Sequence, residues 1–250
     1  YQQLTHSIFM EALPFFHQLM PGLNATNSDF HERWISKRKL SEARHNSFME
    51  NSGFSDLKVF QEIFHQLPGG SDLHLGNSSP VRYTQLFSHN GSVEHFSNRG
   101  TSGIDGSTST AVGAAWAGKK LTVLITGDLS FIYDSNGLWN PYLSEKLRII
   151  VINNGGGNIF RIIPGPSGTD HLEEFYETKH LETTEGFAGT FGLEYFHACN
   201  MEELRDSLGK FFDPELRKPA LLEVATNRKK SPEVLKNYFT FLKDGKLPVE

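Results

Sequence analysis

The chain has 250 residues, of which 38% are hydrophobic and 21% are charged, and this is typical of a soluble globular chain of one or two domains. Its formal net charge of -5 offers no basic surface for nucleic acid, and no apolar run approaches the roughly 20 residues that span a bilayer. We therefore expect no nucleic-acid or membrane partner and predict that the chain binds small molecules.

The cysteine and histidine content does not indicate a disulfide or a metal cluster. Cys199 is the single cysteine and cannot form an internal disulfide, which fits a reducing compartment, so we predict a cytoplasmic protein. A free cysteine is most often a buried, inert thiol, and we predict this state for Cys199. The eleven histidines show no HExxH or comparable metal spacing, and we interpret them as structural or solvated.

Residues 1–50 form the first predicted segment. The stretch LTHSIFMEALPFFHQLM (4–20) is predicted as a helix, and the polar stretch NATNSDFHERWISKRKLSEARHNS (24–47) as a helix that ends a domain, followed by a linker. The chain opens at Tyr1 without an initiator Met, which is typical of a fragment. We expect residues 1–50 to be the end of a middle domain plus a linker, and residues 51–250 to be a C-terminal domain.

After residue 50, short apolar runs alternate with helical patterns. A helix is predicted from the N-cap Ser55 to a stop at Pro68. The apolar runs that follow are LHLGNS, VEHFSN, LTVLITGD, LRIIVINN, LEYFHA and ALLEVAT. Between them lie helical segments: GSTSTAVGAAWAG, the segment after Gly127, TEGFAGTFG and MEELRDSLGKFF. Apolar runs alternating with helices indicate an α/β fold, an open, mostly parallel sheet with helices on both faces.

Polar residues fall at the carboxyl ends of the predicted strands, where ligands bind in such sheets. They are Asn77, Arg99, Asp128, Asn153 and Asn154. Mg²⁺ takes six oxygens, usually from one or two carboxylates together with the phosphates of its ligand. Asp128 can supply the carboxylate, and an asparagine and a carbonyl of the glycine run can supply two more oxygens. These residues therefore predict a site for Mg²⁺ and a diphosphate.

The glycine run and the start of the next helix suit the same ligand. Glycines 155–157 allow the backbone to approach it closely, and amides after Gly127 can donate to a diphosphate. Each piece also has an ordinary structural explanation, because Gly-Asp often forms a turn and Asn-Asn-Gly-Gly is a common loop composition. The combination favours a site, since Asp128 and Asn154 are separated by 26 positions, the length of one helix and one strand.

The sequence GDL (127–129) followed by Asn-Asn (153–154) resembles the cofactor-binding motif of the thiamine diphosphate-dependent enzymes, which begins Gly-Asp-Gly and ends Asn-Asn. Leu129 replaces the third glycine, and this departure resembles one branch, the 2-succinyl-5-enolpyruvyl-6-hydroxy-3-cyclohexene-1-carboxylate synthases of menaquinone biosynthesis. Further matches are GNSSPVR (76–82), SNRGTSGIDG (97–106), GDLSFIYDSNGL (127–138) and NNGGGNIF (153–160). The resemblance covers roughly residues 70–230 and implies that this region is a thiamine diphosphate-binding domain.

The resemblance implies a set of residues for each part of the site. Mg²⁺ would be held by Asp128, the side chain of Asn154 and the backbone carbonyl of Gly156. Ile104 would be the bulky residue that keeps the cofactor bent, with its aminopyrimidine near the thiazolium carbon. The implied cofactor-binding residues are Ile104, Gly127, Asp128, Leu129, Ser130, Asn154, Gly156 and Ile159. The implied substrate-binding residues are Asn77, Ser78, Arg82, Arg99, Phe160 and Ile163.

Several of these residues also have ordinary explanations. The expected substrates, 2-oxoglutarate and isochorismate, are dicarboxylates, and arginine recognises carboxylates bidentately. An isolated arginine is by default a surface or ion-pair residue, however, and this alternative holds for Arg82 and Arg99. Ile104 taken alone is more often a core residue. We interpret Asp105 and Asp134 as structural or helix-capping carboxylates.

The implied enzyme is a thiamine diphosphate-dependent transferase. It would decarboxylate 2-oxoglutarate and add the resulting carbanion equivalent to isochorismate, with release of carbon dioxide. Family members use a glutamate from an N-terminal domain of a neighbouring subunit, so we expect no catalytic residue in this chain, no turnover by the chain alone, and a homodimer or homotetramer of the full-length protein. The alternatives are a different thiamine diphosphate-dependent 2-oxo acid decarboxylase, an acetohydroxyacid synthase-like enzyme, or a non-enzymatic diphosphate-binding assembly module.

Overall fold

The computed structural model of the protein describes residues 3–24, 26–88 and 91–246. Tyr1, where the first predicted segment begins, lies outside them. The chain divides into two compact units, one within residues 1–43 and one within residues 44–250. The boundary falls inside helix α2 (Phe30–Asn51), so the residues of this helix from Arg44 onward belong to the second unit.

The first unit contains helix α1 (Ala12–Leu19), a 3₁₀ turn (Met20–Gly22) and the first part of α2. The helix predicted over residues 4–20 forms only in its second half. Pro14 gives the reason, because its ring would clash with the carbonyl of Met10 in a helix that continued toward the N-terminus. In the first turn of α1, by contrast, the missing N–H of Pro14 costs nothing.

The second unit is built on one sheet of six parallel strands in the order β2-β1-β3-β4-β6-β5. The strands are β1 (Asp72–Leu75), β2 (Glu94–Ser97), β3 (Thr122–Gly127), β4 (Leu147–Asn153), β5 (Glu194–Ala198) and β6 (Ala220–Ala225). Five of the six apolar runs of the sequence contain a whole strand, and the run LHLGNS contains all of β1 except Asp72. The predicted open parallel sheet is therefore confirmed.

Helices cover both faces of this sheet, as predicted. They are α3 (Asp56–Gln66), α4 (Ser79–Thr84), α5 (Ser107–Ala117), α6 (Asp128–Tyr133), α7 (Glu185–Phe191), α8 (Met201–Phe211) and α9 (Lys230–Asp244). Successive side chains of a strand point to opposite faces. Val123 of β3 therefore joins the core formed with α3, α4, α8 and α9, whereas Leu124 joins the core formed with α5, α6 and α7.

Two helix starts show how polar side chains tie the second unit together. The helix predicted after Ser55 is α3, but the Ser55 hydroxyl donates to the carbonyl of Gly53 (3.1 Å) and does not cap the helix. The Asp56 amide donates instead to Oγ of Ser231 in α9 (3.0 Å). Asp134, predicted as a structural or helix-capping carboxylate, accepts from the amide (2.8 Å) and hydroxyl (2.7 Å) of Ser109 in α5, which is a structural role.

Two further expectations concern exposure to solvent and membrane. Cys199 lies exposed immediately after β5, so the prediction of a buried thiol is wrong. The reason is that β5 lies at one edge of the sheet and ends at Ala198, after which the chain turns along the surface into α8. Within the described ranges, no helix combines the length and the apolar character needed to cross a bilayer.

Candidate functional site

A cavity of about 260 Å³ lies at the carboxyl ends of β1, β3 and β4, three neighbouring strands of the sheet. Asn77 and Ser78 reach it from the loop after β1, Asp128 from the end of β3, and Asn154 and Gly156 from the loop after β4. The register of the parallel strands thus gathers residues that are far apart in sequence. This is the place where open α/β sheets bind their ligands.

The cavity brings together most of the residues that the sequence singled out. All eight implied cofactor-binding residues line it, including the three implied Mg²⁺ ligands: Ile104, Gly127, Asp128, Leu129, Ser130, Asn154, Gly156 and Ile159. Three of the six implied substrate-binding residues also line it: Asn77, Ser78 and Phe160. The other three, Arg82, Arg99 and Ile163, are not among its lining residues.

These three residues lie in different surroundings. Arg82 is exposed on α4. Arg99 is also exposed, but its guanidinium donates to Oδ1 of Asn77 at 2.9 Å, which connects it to the cavity wall. Ile163 is half-buried just after the short helix Asn158–Arg161. Their roles in substrate binding stay predictions.

Unusual backbone conformations mark the cavity. Of the described non-glycine residues, three have positive φ, and two of them line the cavity: Ser78 (72°) and Thr178 (48°). Such conformations cost free energy and are typical of functional sites, where the surrounding structure enforces them. Gly155 and Gly156 adopt φ of 76° and 147°, which side-chain-bearing residues rarely adopt.

The carboxylate of Asp128 organises the loop after β4. It is 3% exposed; its Oδ2 accepts from the amides of Gly155 (2.8 Å) and Gly156 (2.9 Å), and its Oδ1 accepts from the amide of Leu129 (2.7 Å). A carboxylate offers about four lone-pair sites, two on each oxygen. Oδ1 therefore keeps capacity for one further partner, whereas the amide of Leu129 is engaged with Asp128.

His180 adds a contact that the sequence did not indicate. Its Nε2 lies 3.2 Å from Oδ2 of Asp128, and this contact raises the pKa of the imidazole. The backbone amide of His180 also donates to the carbonyl of Gly155 at 3.2 Å. His180 thus links the glycine loop to Oδ2 of Asp128, the carboxylate oxygen that also accepts from Gly155 and Gly156.

The two adjacent asparagines, which look equivalent in the sequence, differ in the structure. Asn153 is fully engaged, because its Nδ2 donates to Glu223 (2.6 Å) and to the carbonyl of Glu182 (2.9 Å) and its Oδ1 accepts from Gly155. Asn154 donates from Nδ2 to Asp56 (3.1 Å). Its Oδ1 is buried and has no hydrogen-bond partner in the described part of the chain.

The oxygens at this site fit a magnesium ion. Asp128 Oδ1 and Asn154 Oδ1 have free capacity, and the carbonyl of Gly156 accepts a single backbone bond, from Asn158 at 2.9 Å. One carboxylate combined with neutral oxygens is a donor set that Mg²⁺ accepts when a phosphate ligand supplies further oxygens. Among residues 3–24, 26–88 and 91–246, no three His, Cys, Asp or Glu side chains form a metal cluster, and the implied set does not require one.

This difference between the asparagines gives a testable prediction. We expect Asn154→Ala to weaken Mg²⁺ binding about tenfold or more, equivalent to more than about 1.4 kcal/mol, because it removes a ligand oxygen. We expect Asn153→Ala to lower the free energy of unfolding by about 1 to 2 kcal/mol, because it breaks hydrogen bonds to Glu223 and Gly155, with little change in Mg²⁺ affinity. Calorimetric titration and chemical denaturation of both variants measure these effects, and equal losses of affinity would contradict the assignment.

Sequence reasoning missed three buried polar residues of the cavity wall. Asp56 is 1% exposed, and burial raises the pKa of its carboxyl group. Tyr83 is buried, which raises the pKa of its phenol, and its hydroxyl has no partner among the described residues. Asn158 is 4% exposed, and the nitrogen and oxygen of its side-chain amide also lack a hydrogen-bond partner among the described residues. Asp56 looked like an ordinary first-turn residue, whereas the position of Asn158 within NNGGGNIF was a usable signal.

Comparison with known proteins identifies relatives of this chain. No family model matches it. It is 44% identical over 231 residues to the 2-succinyl-5-enolpyruvyl-6-hydroxy-3-cyclohexene-1-carboxylate synthase of Flavobacterium psychrophilum, which covers 92% of this chain and 42% of that protein. It is 41% identical over 255 residues to the synthase of the same name from Porphyromonas gingivalis, covering 98% of this chain and 44% of that protein. The relative from Christiangramia forsetii, with the same name, is 46% identical over 200 residues, or 80% of this chain and 34% of that protein.

These matches confirm the resemblance that the motifs indicated. They extend over almost the whole chain, whereas the chain spans only about two fifths of the length of these relatives. The matched region is C-terminal in them. The chain is therefore, by sequence, a relative of the 2-succinyl-5-enolpyruvyl-6-hydroxy-3-cyclohexene-1-carboxylate synthases and corresponds to their C-terminal part.

Proposed function

We propose that this chain is the cofactor-binding part of a thiamine diphosphate- and Mg²⁺-dependent synthase of menaquinone biosynthesis. The complete enzyme decarboxylates 2-oxoglutarate and adds the resulting carbanion equivalent to isochorismate. The observation that carries the proposal is the cavity at the strand ends, where Asp128, Asn154 and Gly156 present oxygens with free bonding capacity. The names of the relatives support the same reaction class.

The residues of this chain hold and orient the cofactor in this proposal. Asp128 Oδ1, Asn154 Oδ1 and the carbonyl of Gly156 would hold Mg²⁺, a cation that usually takes further oxygens from a phosphate ligand. Thiamine diphosphate, when bound, supplies the electron sink for the carbanion. Ile104 packs against the cofactor, and its 39% exposure does not suit a core residue. The hydroxyl of Ser130 donates to the carbonyl of Ile104 (2.6 Å) and fixes its position.

The acidic substrates bind at the edge of the cavity. Arg99 is held there by its hydrogen bond to Asn77, which itself donates to the carbonyls of Asn98 (2.8 Å) and Gly103 (2.7 Å). A guanidinium held in this way is oriented for a bidentate pair with a carboxylate. Arg82 contributes a second positive charge from α4, and Phe160 forms an apolar side of the cavity.

The remaining parts of the active site belong to other regions of the complete protein. Since the chain spans about two fifths of its relatives, we propose that the glutamate that protonates the pyrimidine ring comes from an N-terminal domain of a neighbouring subunit. The enzyme is then a homodimer or homotetramer in the cytoplasm. The chain alone carries half of each site and shows no turnover.

The experiment is an assay of the complete protein with 2-oxoglutarate, isochorismate, thiamine diphosphate and Mg²⁺. We expect one carbon dioxide released per isochorismate consumed, and no turnover by the isolated chain. Parallel assays with pyruvate test the decarboxylase and acetohydroxyacid synthase alternatives. Turnover of pyruvate but not of 2-oxoglutarate would overturn the substrate assignment, and the absence of any cofactor binding would favour an assembly module.

Asn158 gives a second, independent prediction for the cavity. The side-chain amide of Asn158 is buried, and neither its oxygen nor its nitrogen has a hydrogen-bond partner among the described residues. An unsatisfied buried polar group costs about 1 to 3 kcal/mol. We expect Asn158→Ala to leave the free energy of unfolding of the ligand-free protein unchanged or higher, and to weaken ligand binding severalfold. Thermal unfolding with and without thiamine diphosphate and Mg²⁺ measures both. A loss of stability without ligand would indicate a structural residue.

A further inference from the structure

A buried polar cluster lies behind the proposed Mg²⁺ ligand Asn154. Its centre is Asp56, the first residue of α3, which is 1% exposed and lines the cavity. Oδ1 of Asp56 accepts hydrogen bonds from the hydroxyls of Thr226 (2.5 Å) and Ser231 (2.9 Å). Oδ2 accepts from Nδ2 of Asn154 (3.1 Å). The carboxylate thus bonds to side chains of three different segments of the second unit.

The contact with Asn154 decides which end of its amide faces the cavity. The oxygen and the NH₂ group of an asparagine have nearly the same shape, so their positions depend on their hydrogen-bond partners. An ionised carboxylate accepts hydrogen bonds and does not donate, so Asp56 in this form holds the NH₂ end. Burial raises the pKa of this carboxyl group, whereas its hydrogen bonds with Thr226, Ser231 and Asn154 act to lower it and favour the ionised form. The oxygen, Oδ1, then points away from Asp56 and is the buried atom without a partner in the described part of the chain.

A reversed amide would destroy the proposed ligand set. It would present two N–H donors where a cation needs a lone pair, and the local dipole would repel the ion. Van der Waals packing alone does not prevent this reversal, because the two ends of the amide are nearly equal in size. The hydrogen bond that Asn154 donates to Asp56 distinguishes the two orientations.

We propose that Asp56 is a positioning residue that sets the Mg²⁺ affinity of the site by fixing the orientation of Asn154. This inference rests on the proposed function, because it concerns the same metal. Partners that orient a metal ligand without contacting the metal typically change metal affinity by about 10- to 100-fold when they are removed. Asp56 therefore belongs to the binding site although it would not contact the metal.

A double-mutant cycle tests this inference in the complete protein. Mn²⁺, which reports through its electron paramagnetic resonance signal, is titrated in the presence of thiamine diphosphate against the wild type, Asp56→Ala, Asn154→Ala and the double variant. We expect Asp56→Ala to weaken Mn²⁺ binding about tenfold or more. In a protein that already carries Asn154→Ala, we expect Asp56→Ala to weaken Mn²⁺ binding by less than about twofold, because the residue through which Asp56 acts is absent.

Thr226→Val is the matched control. It removes a hydrogen bond to the other oxygen of the same carboxylate and leaves the contact between Asp56 and Asn154 in place. We expect its unfolding temperature to fall while its Mn²⁺ affinity stays within about twofold of wild type. If Asp56→Ala does not fold, Asp56→Asn replaces it in the experiment. Asparagine keeps the side-chain volume but no longer presents an acceptor-only group to Asn154. We expect Asp56→Asn to weaken Mn²⁺ binding about threefold or more.

The outcomes separate this inference from the proposed function. The positioning role would be overturned if the Asp56 variants bind Mn²⁺ with wild-type affinity, or if Asp56→Ala lowers that affinity equally with and without Asn154→Ala. A loss of Mn²⁺ affinity in Asn154→Ala would still support the metal site in that case. If the wild type itself binds no Mn²⁺ with thiamine diphosphate, the proposed function fails and this inference fails with it. A loss confined to proteins that retain Asn154 supports both.

Discussion

Asp128→Ala is expected to abolish the Mg²⁺-dependent binding of thiamine diphosphate. The change removes the single carboxylate of the proposed ligand set and, with it, the acceptor of the Gly155 and Gly156 amides. The glycine loop then loses one of its anchors, and we expect the carbonyl of Gly156 to shift as well. Because hydrogen bonds to charged groups contribute about 1.5 to 3 kcal/mol each, the loss of these two bonds should also lower the free energy of unfolding by about 3 to 6 kcal/mol. Calorimetric titration and urea denaturation measure the two effects.

Asp134→Ala is the matched control for this prediction. Asp134 is also a buried carboxylate, and it accepts two hydrogen bonds from Ser109 at the start of α5. It does not line the cavity, so we expect lower stability but unchanged cofactor affinity. Wild-type binding by Asp128→Ala, or an equal loss in both variants, would contradict the role of Asp128.

Gly156→Ala is expected to disrupt the site almost as strongly. Gly156 has φ of 147°, and a Cβ there would lie 2.6 Å from the carbonyl oxygen of Glu177. That carbonyl cannot easily move, because it accepts from the amide of Gly157 (2.6 Å) and the fully buried Glu177 side chain pairs with Arg161. We expect the free energy of unfolding to fall by about 2 to 4 kcal/mol, and cofactor binding to be lost as the loop shifts.

Gly189→Ala shows what the same change does without these constraints. Gly189 lies within α7, has no heavy atom within 4 Å of a Cβ position and has no positive φ. Alanine at such a helical position should raise stability by up to about 1 kcal/mol, with unchanged binding. Thermal unfolding and titration of both variants test the comparison. Gly156→Ala with wild-type stability and affinity would show that the loop geometry is not required.

The sheet was predictable because its strands carry a local signal. Strands of a parallel sheet are buried on both faces, so LTVLITGD and LRIIVINN read as continuous apolar runs between helical segments. The first unit was less predictable, because the apolar residues before Ala12 suggested a helix that Pro14 stops. Cys199 was mispredicted because a residue type indicates average burial, whereas its exposure depends on where the chain leaves an edge strand.

The candidate site was predictable to the extent that its residues lie in local motifs. Asp128 and Asn154 follow two strands that are neighbours in both sequence and sheet, so their proximity could be inferred from spacing. The contact of Asp56 with Asn154 joins residues 98 positions apart, and no local pattern indicates it. The family motif implied a substrate-binding role for Arg82 but did not indicate the surroundings of its side chain, which is exposed on α4.

We propose that this chain binds thiamine diphosphate through Mg²⁺. The most direct test is calorimetric titration of the complete protein with thiamine diphosphate, first with saturating Mg²⁺ and then after removal of divalent metals with a chelator. We predict saturable binding at one site per chain, with an affinity that falls about 100-fold or more, or about 2.7 kcal/mol, without the metal. No binding, or binding of equal strength with and without Mg²⁺, would contradict the account.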